Sequence, residues 1–169
     1  MDRHSFYWLI DGVLAGCGRP GSCSRRDGEG TDCAAATAAL DDDLRWLRDQ
    51  GVGAVLTLTE MPLIPGLLSR HGLAELHLPV DDLTPPNPVQ LDAALDFIDE
   101  RRARGECIVV HCLVGEGRTG TVLAAYLIRG GLSVDIALRE LRSVCPNAVG
   151  SATQETALRA FADRRDWLI

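Results

Sequence analysis

The segment from His111 to Gly120 combines a nucleophile with groups that bind anions. It reads His-Cys-Leu-Val-Gly-Glu-Gly-Arg-Thr-Gly, and five residues separate Cys112 from Arg118. The thiolate of a cysteine attacks electrophiles, and the planar guanidinium of an arginine can bind two phosphate oxygens at once. Gly115 and Gly117 allow the backbone between them to curl with its amides pointing inward. The segment therefore predicts a thiolate nucleophile inside an anion-binding cradle.

The sequence on either side indicates how this cradle is held. The apolar run from Cys107 to Val110 predicts a buried strand, and residues 119–129 predict an apolar helix that ends at Gly130. Cys112 would then lie at the end of a strand, and the loop would lead into a helix N-terminus. Backbone N–H groups without helical partners and the positive end of the helix dipole meet there, and both stabilise an anion.

The rest of the pattern is typical of a layered α/β domain. Because predicted strands and helices alternate, we expect a central, mostly parallel sheet flanked by helices in a single domain over residues 1–169. A stretch rich in glycine, serine and charge predicts a flexible insertion at about 16–33. The further predicted strands are 6–10, 13–15, 54–58 and 73–78, and the further predicted helices are one around 40–47, a short one at 62–70, and 87–104, 133–144 and 152–166.

Composition narrows the choice of partners. The net charge is −7, so a general nucleic-acid or membrane-surface binder is not expected. All 17 basic residues are arginine, which excludes lysine Schiff-base chemistry and a Walker-type phosphate loop. No apolar run approaches the roughly 18 residues of a membrane span.

The six cysteines indicate a reducing environment. No Cys-x-x-Cys pair is present, and the N-terminus Met-Asp-Arg-His-Ser lacks the order of a secretory signal. We therefore expect free thiols, a cytoplasmic protein, and neither a bound metal nor a cofactor.

The full segment from His111 to Gly120 resembles the signature of the cysteine-based protein tyrosine phosphatases, most closely that of the small atypical dual-specificity phosphatases. The resemblance covers residues 5–15 and 38–166. It implies a dual-specificity phosphatase fold and hydrolysis of phosphomonoesters through a phosphocysteine intermediate. The implied substrates are phosphotyrosine proteins, with phosphoserine and phosphothreonine proteins as a second class.

The resemblance also implies a role for each residue of the segment. Cys112 would be the nucleophile, His111 would orient the loop, and Thr119 would hydrogen-bond the thiolate. The side chain of Arg118 would hold the phosphate oxygens together with backbone amides. Those amides belong to Leu113, Val114, Gly115, Glu116, Gly117 and Arg118.

A second loop supplies the expected proton donor. In Pro79-Val80-Asp81-Asp82-Leu83-Thr84-Pro85-Pro86, the family's general-acid loop is recognised by an Asp three residues before a Pro. That offset favours Asp82 over Asp81. Such a donor contributes about 10²–10⁴-fold to the rate.

Two further positions have alternative interpretations. Gln154 would position the hydrolytic water by resemblance, or it would complete a capping box with Ser151. Glu60 follows a predicted strand, where it would line the pocket or bind an arginine of the cradle, and we assign it no definite role.

The substrate is less well specified than the chemistry. Glu116 occupies a position where phosphoinositide phosphatases carry a lysine, and a carboxylate there would repel polyanions. We expect a phosphorylated protein or a small phosphomonoester as partner. The alternatives are a nucleotide, RNA or lipid phosphate as substrate, or a phospho-binding module without catalysis. The sequence does not predict an oligomeric state.

Overall fold

The computed structural model describes residues 3–22 and 33–166 and contains one mixed sheet of five strands in the order β1-β2-β5-β3-β4. β1 runs antiparallel to β2, and all other neighbours are parallel. The predicted mostly parallel sheet is therefore confirmed. The strands are β1 (Tyr7–Ile10), β2 (Leu14–Cys17), β3 (Val52–Thr57), β4 (Ala74–His77) and β5 (Cys107–His111).

Helices cover both faces of this sheet. On one face, α3 to α6 pack into a core that includes Ile108 and Val110; on the other face, α1 and α2 pack into a core that includes Val109. β5 is buried at every position, which explains its continuous apolar run. The helices are α1 (Cys33–Asp49), α2 (Leu67–Arg70), α3 (Pro88–Ala103), α4 (Gly117–Arg129), α5 (Val134–Val144) and α6 (Ala152–Asp166).

The register brings the carboxyl ends of three parallel strands together. His111, the last residue of β5, pairs with Cys17 at the end of β2 and with Thr57 at the end of β3. The loop that follows His111 therefore emerges between two other strand ends. In parallel sheets, ligands bind at this edge.

The cap of α3 fixes the loop before it. Asn87 accepts a hydrogen bond from the Gln90 amide, and the Gln90 side chain accepts one from the Asn87 amide, each at 2.9 Å. The same Gln90 side chain donates to the Pro79 carbonyl at 2.6 Å. The helix cap thus anchors the start of the loop that carries Asp81 and Asp82.

The predicted start of the insertion at residue 16 is wrong, because it lies inside β2. Gly16 and Cys17 are not loop residues, because both are buried and belong to β2. Gly16 is needed there because a Cβ would lie 2.4 Å from Cζ of the Tyr7 ring. Composition alone suggested a loop, whereas this glycine makes room for an aromatic side chain on the neighbouring strand. Residues 18–22 lie outside helices and strands, as predicted, and Cys33 begins α1 rather than ending a loop. Residues 23–32 of the predicted insertion lie outside the described residues.

None of the helices within the described part of the chain is long and apolar enough to span a membrane.

Candidate active site

The loop after β5 surrounds the thiol of Cys112. The side chain is 3% exposed, and the Gly115 amide donates a hydrogen bond to its sulfur at 3.3 Å. Cys112 lines a cavity of about 240 Å³. The residues that line it are Asp82, Leu83, Cys112, Leu113, Val114, Glu116, Gly117, Arg118, Asn147, Gly150, Ser151 and Gln154.

Gly115 is the residue that lets the loop close. Its φ is +94°, and a Cβ there would lie 2.5 Å from the carbonyl carbon of Cys17. Both the left-handed conformation and the contact with β2 therefore require glycine. The Tyr7 hydroxyl holds the same residue by donating to its carbonyl at 2.8 Å.

The start of α4 faces this loop. The helix begins at Gly117, and the side chain of Glu116 does not cap it. The Asn147 side chain donates to the Glu116 carboxylate at 3.2 Å. An uncapped helix N-terminus leaves backbone N–H groups for an anion.

Thr119 differs from the prediction. Its hydroxyl is fully buried and has no hydrogen-bond partner among the described residues. The hydrogen bond to the Cys112 sulfur that the resemblance implies is therefore not formed in this structure.

Arg118 is the centre of the charge network. Its side chain is 2% exposed, and its Nη1 donates to the Val80 carbonyl at 2.7 Å and to Glu60 Oε2 at 3.0 Å. Its Nη2 lies 2.9 Å from Asp82 Oδ1. The pKa of the Glu60 carboxyl lies below its ordinary value, first because a backbone N–H donates to it and next because Arg118 does. A substrate phosphate would have to share Arg118 with these two carboxylates.

Asp82 lies at the site, as its spacing predicts, and Asp81 does not line the cavity. The Asp82 amide donates to Glu60 Oε1 at 3.0 Å, so Glu60 holds both Asp82 and Arg118. The carbonyl of Asp81 accepts from the amide and hydroxyl of Thr84, which forms the turn of this loop. The two adjacent carboxylates therefore occupy different environments.

Gln154 combines features of both interpretations. The Ser151 hydroxyl accepts from the Gln154 amide at 3.3 Å, which caps α6. The Gln154 side chain is 2% exposed, lines the cavity and donates to the Thr84 carbonyl at 3.5 Å. The backbone of Gln154 thus serves the helix cap, while its side chain lies between the acid loop and the cradle.

His111 lies beneath the cradle. Its Nδ1 donates to the Cys112 carbonyl at 3.2 Å, and its Nε2 accepts from the Thr57 hydroxyl at 3.0 Å. Burial lowers the pKa of His111 to about 3. The ring is therefore neutral at pH 7 and supports the loop through its backbone.

We expect this burial to make the fold acid-sensitive. The pKa of histidine is about 6.5 in an unfolded chain and about 3 in this site, so the unfolded chain takes up the proton first. The stabilising contribution is fully present above pH 6.5 and is lost as pH falls towards 3. It should cost about 2 kcal/mol at pH 5 relative to pH 7. Urea unfolding at both pH values tests this, because His111→Asn should remove the difference; an equal loss in the variant would contradict it.

Two residues that support the cradle were not predicted, because they are distant from it in sequence. Tyr7 contacts the cradle across 108 positions, and a strand aromatic gives no signal of that contact. Arg19 donates its amide to the Leu113 carbonyl at 3.0 Å and its side chain to the Met61 and Pro62 carbonyls. It therefore ties the cradle to the segment that carries Glu60.

In the part of the chain that the structure describes, no three His, Cys, Asp or Glu side chains are grouped so as to hold a metal ion.

The chain is similar in sequence to known phosphatases. A family model described as "Polymorphic toxin system, DSP-PTPase phosphatase" matches residues 29–132. Phosphatidylglycerophosphate phosphatase PTPMT2 of Arabidopsis thaliana is 33% identical over 125 residues, covering 71% of this chain and 55% of that protein. Dual specificity protein phosphatase 12 of Rattus norvegicus is 32% identical over 130 residues, covering 76% of this chain and 37% of that protein. The chain thus spans about half or less of the length of these relatives.

A solved structure matches nearly the whole chain. Tk-PTP in its active form is 31% identical, with a TM-score of 0.77, and the match covers 97% of this chain and 99% of Tk-PTP. This confirms the predicted protein-tyrosine-phosphatase-like fold. The chain belongs to the dual-specificity phosphatase family of the cysteine-based protein tyrosine phosphatases.

Proposed function

We propose that the protein hydrolyses phosphomonoesters through a covalent phosphocysteine on Cys112. The observation that carries this proposal is that Cys112, Arg118 and Asp82 line one cavity, with Arg118 joined to Asp82 at 2.9 Å. A nucleophile, an anion clamp and a proton donor are what phosphoryl transfer to a side chain requires. A phospho-binding module would need neither the nucleophile nor the donor.

The reaction would proceed in two displacements. In the first, the Cys112 thiolate attacks phosphorus, the ester P–O bond breaks, and Asp82 gives its proton to the leaving oxygen. In the second, Asp82 accepts a proton from water as that water attacks phosphorus and the S–P bond breaks. Gln154 is suited to orient the water because its side chain lies between the Thr84 carbonyl and Gly117. Arg118 and the loop amides would hold the oxygens as charge spreads over them.

The substrate we propose is a phosphorylated protein or a small phosphomonoester. Glu116 in the lining disfavours polyanions such as inositol phosphates, and the net charge of −7 disfavours RNA. The name of the Arabidopsis relative makes a lipid phosphate the second candidate. The chemistry needs a reduced thiol, so we assign the protein to the cytoplasm, and Cys17, Cys107, Cys112 and Cys145 are all free.

The intermediate can be trapped directly. The protein is mixed with para-nitrophenyl phosphate in EDTA, quenched in acid within the first turnover, digested and examined by mass spectrometry. We expect the mass of one phosphoryl group on the peptide that contains Cys112. Steady hydrolysis with no phosphate on that peptide, in quenches spanning the first turnover, would contradict the phosphocysteine route.

A further inference from the structure

The lining of the catalytic cavity has an excess of negative charge. Its charged residues are Asp82, Glu116 and Arg118. Arg118 is already bound to Asp82 and to Glu60, so Glu116 adds a carboxylate that the cavity does not balance. A substrate phosphate would meet Arg118 and the loop amides, while the group beside the phosphate would meet Glu116.

Glu116 is held in place without being neutralised. Its carboxylate accepts from the Asn147 side chain at 3.2 Å, and its carbonyl accepts from the amides of Gly120 and Val149. Among the described residues it forms no ion pair. A carboxylate fixed by a neutral amide keeps its charge available for a cation on a ligand.

Apolar side chains frame the same cavity. Leu83, Leu113 and Val114 line it and are 75%, 52% and 58% exposed. Leu83 has a φ of 61°, a conformation that a residue with a Cβ rarely adopts. Exposed apolar side chains that surround a polar centre mark a surface that another molecule covers. A small polar ester would leave these side chains in water, whereas a peptide would cover them.

We infer that Glu116 selects phosphopeptides in which an arginine or lysine lies next to the phosphorylated residue. This inference rests on the proposed phosphatase function and names its substrate class. The apolar frame would contact the phosphorylated side chain and its neighbours, and Glu116 would pair with the adjacent cation. An acidic residue at that position would be repelled by the same carboxylate.

The test compares three phosphotyrosine peptides of equal length whose neighbours on both sides are Arg, Ala or Glu. We expect kcat/KM for the Arg peptide to exceed that for the Glu peptide by about tenfold at low salt. This ratio should shrink as salt is added, because ions screen the pair. In Glu116→Gln, which keeps the shape and an acceptor for Asn147, the ratio should fall to about twofold or less.

A matched control distinguishes the effect of the charge at Glu116 from the effect of the net charge of the protein. Asp42→Asn changes the net charge equally, and Asp42 lies on α1, on the other face of the sheet. This variant should keep the wild-type ratio of kcat/KM between the Arg and Glu peptides.

Equal kcat/KM for all three peptides, or a ratio that Glu116→Gln leaves unchanged, would overturn the inference. Hydrolysis of para-nitrophenyl phosphate without hydrolysis of any peptide would overturn it too but leave the proposed function standing. Failure on both substrates would reject the function itself.

Discussion

Replacing Cys112 by serine should lower kcat for para-nitrophenyl phosphate by about 10⁴-fold or more. A serine hydroxyl is a weak nucleophile unless a base takes its proton. His111 cannot take that proton, because its Nδ1 donates to the Cys112 carbonyl and its Nε2 accepts from the Thr57 hydroxyl. Initial rates in EDTA measure the loss, and retained protection by vanadate or phosphate in a thermal unfolding assay would show that the cradle is intact.

Cys107→Ser is the matched control for this substitution. Cys107 begins the same strand, but it packs in the core on the other face of the sheet from Cys112. Burial raises its pKa to about 11, so it is a thiol and not a thiolate at assay pH. We expect activity within about twofold of the wild type. A loss in Cys107→Ser equal to that in Cys112→Ser would mean that the nucleophile has been assigned wrongly.

The cradle could be predicted because it is contiguous. The residues from His111 to Gly120 carry the nucleophile, the glycines and the guanidinium in one stretch, and the buried strand before them is readable from its apolar run. The order of elements was predictable for a similar reason, since apolar periodicity and the cap at Asn87 are local signals. The predicted Asp82 needed only a spacing to Pro85.

Long-range contacts could not be predicted in the same way. The sequence left open whether Glu60 lines the pocket or binds an arginine of the cradle. Its pairing with Arg118 spans 58 positions, and that of Tyr7 with Gly115 spans 108. A glutamate or a tyrosine in the sequence does not identify its partner, because the sheet, and not the local chain, brings the two residues together. The prediction that Gly16 lies in a loop was wrong for the same reason, since the glycine leaves space for the ring of Tyr7 on the neighbouring strand. The free hydroxyl of Thr119 depends on a side-chain rotamer, which a motif does not specify.

Glu60 links Asp82, the proposed general acid, to Arg118. One carboxylate oxygen accepts from Arg118 and the other from the Asp82 amide. This bridge places Asp82 so that its side chain reaches the same guanidinium at 2.9 Å. In the proposed mechanism, substrate and Asp82 compete for Arg118, and binding of phosphate releases the carboxyl that gives its proton to the leaving oxygen.

Asp82→Asn should consequently lower kcat without raising KM. We expect kcat to fall by about 10²–10⁴-fold, the contribution of a general acid, because an amide cannot protonate the leaving oxygen. KM should not rise, since Asn no longer pairs with Arg118 and phosphate binds without displacing it. The loss should be larger for a phosphotyrosine peptide than for para-nitrophenyl phosphate, whose leaving group needs less protonation. The dependence of kcat on pH should change as well, because an amide has no carboxyl proton to transfer.

Asp81→Asn makes the same change in charge one residue earlier. Its carbonyl, which forms the turn with Thr84, is untouched by the substitution, and its side chain does not line the cavity. We therefore expect kcat and KM within about twofold of the wild type, with the pH profile preserved. If Asp81→Asn shows the loss and Asp82→Asn does not, the acid is Asp81, and the pairing of Asp82 with Arg118 is a structural contact alone. Equal losses in both variants would instead mean that the loop as a whole, and not one carboxyl, determines the rate.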